Sequence, residues 1–96
     1  MRIRWAPAAA DDLEGIHSYL RENHPPFAHK TIRKLYDAAR SLKQFPHRGR
    51  IGRVEGTREL VMAPLPYVIV YGMQEDTVQI LRVIHGSRDW PPPSTH

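Results

Sequence analysis

The spacing of apolar residues changes from two to three-and-four and back again along the chain. Ile3 and Trp5 alternate with Arg2 and Arg4, the period of a short strand. After Pro7, a residue suited to a first helical turn, Ala9, Leu13, Ile16 and Leu20 recur at steps of four, three and four. The stretch "ENHPP" stops that helix. A second one is predicted from about Phe27 to Leu42, where Ala28, Ile32, Leu35, Ala39 and Leu42 keep the same rhythm. "FPHRGRIGRVEGT", residues 45–57, is punctuated by one Pro and three Gly and reads as a loop. Three strand-like runs follow: "RELVMA" from Arg58, "YVIVYG" from Tyr67 and "TVQILRVIH" from Thr77. The links "PLP" and "MQED" are short enough for hairpins, so the strands are expected to form an antiparallel meander.

The predicted class is α+β, in the order β-α-α-β-β-β, with a small antiparallel sheet packed on one face by a helical hairpin. Strict alternation puts Tyr67, Ile69 and Tyr71 on one face of the middle strand and Val68 and Val70 on the other. In the last strand it sets Val78, Ile80, Arg82 and Ile84 opposite Leu81 and Val83. Both sheet faces are then apolar. Two helices cover only one, so the second is expected to bind a protein partner, with a folded-back tail as the alternative cover.

Ninety-six residues allow one modest core, assigned to residues 1–91, followed by a flexible proline-rich tail at 92–96. There is no cysteine, so neither a disulfide nor a thiolate metal site is available. The His residues are scattered, and no metal site or cofactor is expected. No apolar run approaches the length of a membrane span, and "MRIRWAPAAADD" turns acidic too early for a signal peptide. A soluble, cytoplasmic protein without membrane contact is expected.

Charge alters this picture more by its distribution than by its total. The formal net charge is +4, but residues 29–58 carry nine Lys and Arg against two acids, while the flanking segments are both net negative. Such a segment attracts nucleic acid or an acidic partner chain. Within it, Arg48, Arg50 and Arg53 alternate with glycines in a loop that could wrap an oxyanion. "RVIHGSRDWP", residues 82–91, adds a second group of candidates. Arg82 is expected to pair with a carboxylate such as Glu59 or one from a partner. His85 suits a structural hydrogen bond better than proton transfer, Arg88 follows a Gly-Ser break that frees it to grip an anion, and Trp90 either seals the core edge or stacks on a base.

"GTRELV" from Gly56, "PYVIVY" from Pro66 and "ILRVIHGSRDWP" from Ile80 together resemble the RelE/ParE superfamily of toxins from bacterial type II toxin-antitoxin modules, also called plasmid stabilisation modules. That resemblance spans Met1 to Pro91. It implies a cognate antitoxin whose C-terminal segment wraps the toxin, and one of two activities: inhibition of DNA gyrase, as for ParE-like members, or ribosome-dependent cleavage of mRNA, as for RelE-like members. Arg58 and Arg88 match basic positions of the ribonucleases, and with His85 they would form the catalytic set of a nuclease. Two further basic positions fall on Leu60 and Val68, and no Tyr follows Trp90. The expectation is therefore a ParE-like binding toxin that contacts its target or antitoxin through Arg48, Arg50, Arg53, Arg58, Arg82, Arg88 and Trp90.

Overall fold

A computed structural model of the chain describes residues 1–87 and 90–92. The strand β1 (Arg2–Trp5) leads into two helices, α1 (Pro7–Asn23) and α2 (Pro25–Ser41), then β2 (Arg50–Ile51), β3 (Thr57–Val61), β4 (Tyr67–Gln74) and β5 (Thr77–His85). Each helix begins on a proline, where the missing N–H is not needed. His24 alone separates the helices and ends the first by donating its backbone N–H to Leu20 O.

The sheet order is β1-β5-β4-β3-β2. Two features depart from the expected antiparallel meander. β1 runs parallel to β5, with Arg2 opposite Thr77 and Trp5 opposite Ile80, so the sheet is mixed. The loop also contributes the two-residue strand β2 at the far edge, pairing Arg50 with Glu59 and Ile51 with Arg58. The three predicted C-terminal strands are antiparallel neighbours.

A bulge in β5 corrects the predicted division of its side chains. Val70 pairs with Arg82 but Tyr71 with Ile80, leaving Leu81 as the extra residue. Alternation restarts after it. Val78, Ile80 and Val83 therefore join Tyr67, Ile69 and Tyr71 under the helices, against Ala9, Leu35, Ala39 and Leu42. Leu81, Arg82 and Ile84 belong to the opposite face, where Val68, Val70 and Ile84 form a second cluster with Leu81 and Trp90 packed on it.

That second face is not the open apolar surface the sequence suggests. Val68, Val70 and Ile84 are at most 5% exposed, so the chain's own C-terminal segment, through Trp90, supplies the cover expected from a partner. The large apolar side chains that remain exposed lie elsewhere, among them Tyr19 and Phe27 on either side of the turn of the helical hairpin.

Candidate functional site

The basic loop is fixed at both ends by side chains of the sheet. The Tyr71 hydroxyl accepts a hydrogen bond from Gly49 N–H at 2.8 Å and donates one to Pro46 O at 2.7 Å. A side chain at position 49 would bring its Cβ within 2.8 Å of the Tyr71 ring and hydroxyl, so the tyrosine can reach the loop backbone only because residue 49 is glycine. Arg58 continues the anchor, donating from its guanidinium to Gly49 O at 2.7 Å and His47 O at 3.4 Å.

Glu59 occupies the centre of the loop's oxyanion-binding arrangement. Its carboxylate is buried and accepts from the Arg50 guanidinium at 2.9 Å and from Arg53 N–H at 3.0 Å, with Arg53 Nε at 3.6 Å. Burial alone would push this carboxyl up. The Arg53 N–H, the Arg50 hydrogen bond and the charges of both arginines outweigh it and hold Glu59 below its ordinary value. The loop thus holds an internal carboxylate, and Arg50 and Arg53 remain about half exposed around it. Arg48 turns away to donate to Ser41 Oγ at 2.7 Å.

Arg82 does not pair with Glu59, as its place in the sequence suggested. It forms a two-pronged bond with Asp12 of α1, at 2.7 and 3.0 Å, and its own high pKa is raised further by that bond. The charged end also stands 5.6 Å from the centre of the Trp90 ring. Arg53 reaches the same tryptophan from the other side, donating to Trp90 O at 3.1 Å. Sequence reasoning missed Asp12 as a partner because the two residues are 70 positions apart.

Two of the prospective nuclease residues, Arg58 and His85, stand on different strands. Arg58 is opposite Tyr71 and His85 opposite Tyr67, four positions apart along β4 and on strands either side of it. Standard strand dimensions separate their Cα atoms by about 16 Å. His85 Nδ1 faces Ser87, whose N–H donates to it at 3.2 Å and whose Oγ stands at 2.7 Å, and its ring meets Tyr67 edge-on. Leu60 and Val68 are buried in opposite clusters, the first under the helices and the second beneath Trp90. Arg88 lies outside the described residues.

A hollow opens on the helical side. It has a volume of about 720 Å³ and runs between Tyr19 and Phe27 of the hairpin and Tyr67, Val83 and His85 of the sheet, with Ile16 and Leu65 in its walls. Burial, and then the neighbouring Tyr19, raises the Tyr67 hydroxyl above its ordinary pKa, and Asp11 and Asp12 of α1 line the same hollow. Among the described residues no cluster of potential metal ligands occurs, and no helix is long and apolar enough to cross a membrane.

A sheet of this order, closed on one side by a two-helix hairpin and carrying an arginine loop at its β2–β3 edge, is the fold of a class of small toxins. Residues 3–90 match the family described as the ParE toxin of type II toxin-antitoxin system, parDE, and the chain belongs to that family. Y4kP of Sinorhizobium fredii is 39% identical over 90 residues, covering 94% of this chain and 93% of that one. Toxin RelE2 of Caulobacter vibrioides is 37% identical over 87 residues, covering 91% and 97%. Among solved structures, a chain of the chromosomal ParDE TA system from P. aeruginosa superposes with a TM-score of 0.82 at 26% identity, covering 88% of this chain and 95% of that one. The YoeB/ParE toxin from Agrobacterium tumefaciens shares the fold, at a TM-score of 0.60 and 16% identity over 88% and 98% of the two chains.

Proposed function

We propose that this toxin inhibits growth by binding DNA gyrase, and that a cognate antitoxin neutralises it. The observation that carries the gyrase assignment is the separation of Arg58 from His85. Phosphodiester cleavage needs an acid-base group and a cation on one phosphate, within hydrogen-bond distance of the reacting atoms. Two side chains rooted about 16 Å apart, one of them engaged with loop carbonyls, do not supply that pair. The apolar residues at 60 and 68 support the same assignment, because both are packed in the core.

The antitoxin partner is supported by the family and by the ParDE origin of the P. aeruginosa chain. Its place is the hollow bordered by Tyr19 and Phe27, since the second sheet face is already covered by Trp90. An amphipathic segment would bury its apolar side chains there. The cytoplasm, where gyrase and ribosomes both work, is the compartment this function requires.

Purified toxin should block gyrase supercoiling while leaving ribosome-bound mRNA intact. The His85→Gln variant should keep growth inhibition within about threefold of wild type, whereas loss of a true general acid or base costs about 100-fold. Cleavage of mRNA by wild type that vanishes in His85→Gln would overturn the gyrase assignment in favour of a ribonuclease.

A further inference from the structure

Besides the arginine loop, positive charge gathers on the exposed side of α2 and the turn that follows it. From Pro25 to Gln44 the chain carries Lys30, Arg33, Lys34, Arg40 and Lys43 against Asp37 alone, a net of +4 equal to the formal charge of the whole chain. All five cations are exposed. Among the described residues none of them makes an ion pair, while the cations of the loop and of β5 are held by Glu59 and Asp12.

Their arrangement is linear. On a helix, residues three and four apart share a face, so Arg33, Tyr36 and Arg40 form one outward stripe, continued by Lys43 in the following turn. At 1.5 Å per residue the stripe from Arg33 to Lys43 is about 15 Å long. Tyr36 sits in the middle, 47% exposed, with its ring stacked parallel to Trp5 at 6.1 Å between centroids. The stack fixes the tyrosine against the sheet edge, on the stripe between Arg33 and Arg40.

We propose that this outer face of α2 binds the phosphate backbone of duplex DNA without reading its sequence. Two occupants suit a line of unpaired cations, polyphosphate and an acidic protein segment. A protein segment draws its affinity from apolar side chains seated in pockets at the centre of the contact. The hollow on the stripe, bounded by His29, Ile32, Arg33, Tyr36, Asp37 and Arg40, has a volume of about 350 Å³, against about 720 Å³ for the apolar hollow with exposed Tyr19 and Phe27 beside the turn of the hairpin. A phosphate backbone needs no such pocket. It takes charge-assisted hydrogen bonds from Arg, Lys and Tyr on a convex surface. The stripe is long enough to meet about three phosphates. This surface is independent of how the toxin acts on gyrase, and it would hold the protein near the DNA on which that enzyme works.

The test is fluorescence anisotropy of purified toxin, free of antitoxin and gyrase, with two labelled duplexes of unrelated sequence. Both should bind equally, and affinity should fall about 40-fold between about 50 and 200 mM salt, the slope of three released counterions. The triple variant Arg33→Gln, Arg40→Gln, Lys43→Gln should bind at least tenfold more weakly with an unchanged melting temperature. A control that lowers the net charge by the same three units on α1, Ser18→Glu with Arg21→Glu, should bind within about twofold of wild type. Equal weakening in both variants would reduce the effect to overall charge and overturn the assignment. So would absence of binding at the lower salt, or tighter binding of polyglutamate or single-stranded RNA than of duplex.

Discussion

Asp12 takes the place of a missing strand beside Val83. Beyond Ala6, whose N–H is bound to Ile80 O, β5 has no neighbour on that side, and the Asp12 carboxylate accepts the Val83 N–H at 2.9 Å while holding the Arg82 guanidinium. One side chain of α1 thereby pins the helix to the sheet and satisfies an edge donor. Asp12→Ala removes three charge-assisted hydrogen bonds from a mostly buried position and should cost about 2–3 kcal/mol in urea unfolding. Arg82→Met, which keeps the length without the charge, leaves the carboxylate bound only to Val83 and should cost less. Equal stability of Asp12→Ala and wild type would remove Asp12 from the structural role.

Glu59 makes stability depend on acid. Its folded pKa lies below the ordinary carboxyl value of 4.5 shown by an unfolded chain, so the folded state prefers the ionised form. The contribution is complete above that unfolded value and is lost as pH falls through the lower folded one. Denaturant titrations at pH 7 and pH 3 should show Glu59→Gln less stable than wild type at the first and closer to it at the second. A constant gap between the two proteins would show that the charge of Glu59 is irrelevant to folding.

Trp90 is the cover of the second sheet face. Truncation to Ala exposes Val68, Val70 and Ile84 and removes the ring beside Arg82, and for a partly buried tryptophan the loss should be about 2–3 kcal/mol. Among the described residues the buried indole Nε1 has no hydrogen-bond partner, so Trp90→Phe, which keeps an aromatic ring over the face, should be the milder change of the two. Thermal melts of both variants check the order.

Tyr19 and Phe27 are more than half exposed and add little to the core. Replacing both with Ser should leave the melting temperature within about 2 °C of wild type. Antitoxin affinity, measured by calorimetry, should drop about 100-fold if these rings anchor the partner. An unchanged dissociation constant would move the antitoxin contact away from this hollow.

The helices and the three C-terminal strands were legible because the apolar residues of each helix recur at steps of three and four, and those of the strands fall in β-rich runs set off by short turns. Local pattern carries no information about what lies between distant segments, and there the expectations failed. The parallel pairing of β1 with β5 joins residues about 75 positions apart, and the Asp12–Arg82 bond is equally remote. The bulge at Leu81 was hidden because every residue from Ile80 to Ile84 except Arg82 is apolar, so slipping the alternation by one leaves the pattern unchanged. Of the candidate site, the arginine loop could be found by composition. Its internal anion could not, since Glu59 stands in a strand and looks like any solvent-facing acid until the fold buries it.

The position of β5 between β1 and β4 also determines when the molecule can form. The first strand of the chain finds its neighbour only when Thr77–Ile80 have been made, and β4 gains its second neighbour at the same moment. A growing polypeptide on the ribosome therefore makes its helical hairpin before the strands that pack on it, and the sheet closes in a late step that joins β1 to β5. A cell making this chain passes residue 80 before the product can acquire a shape that can harm it.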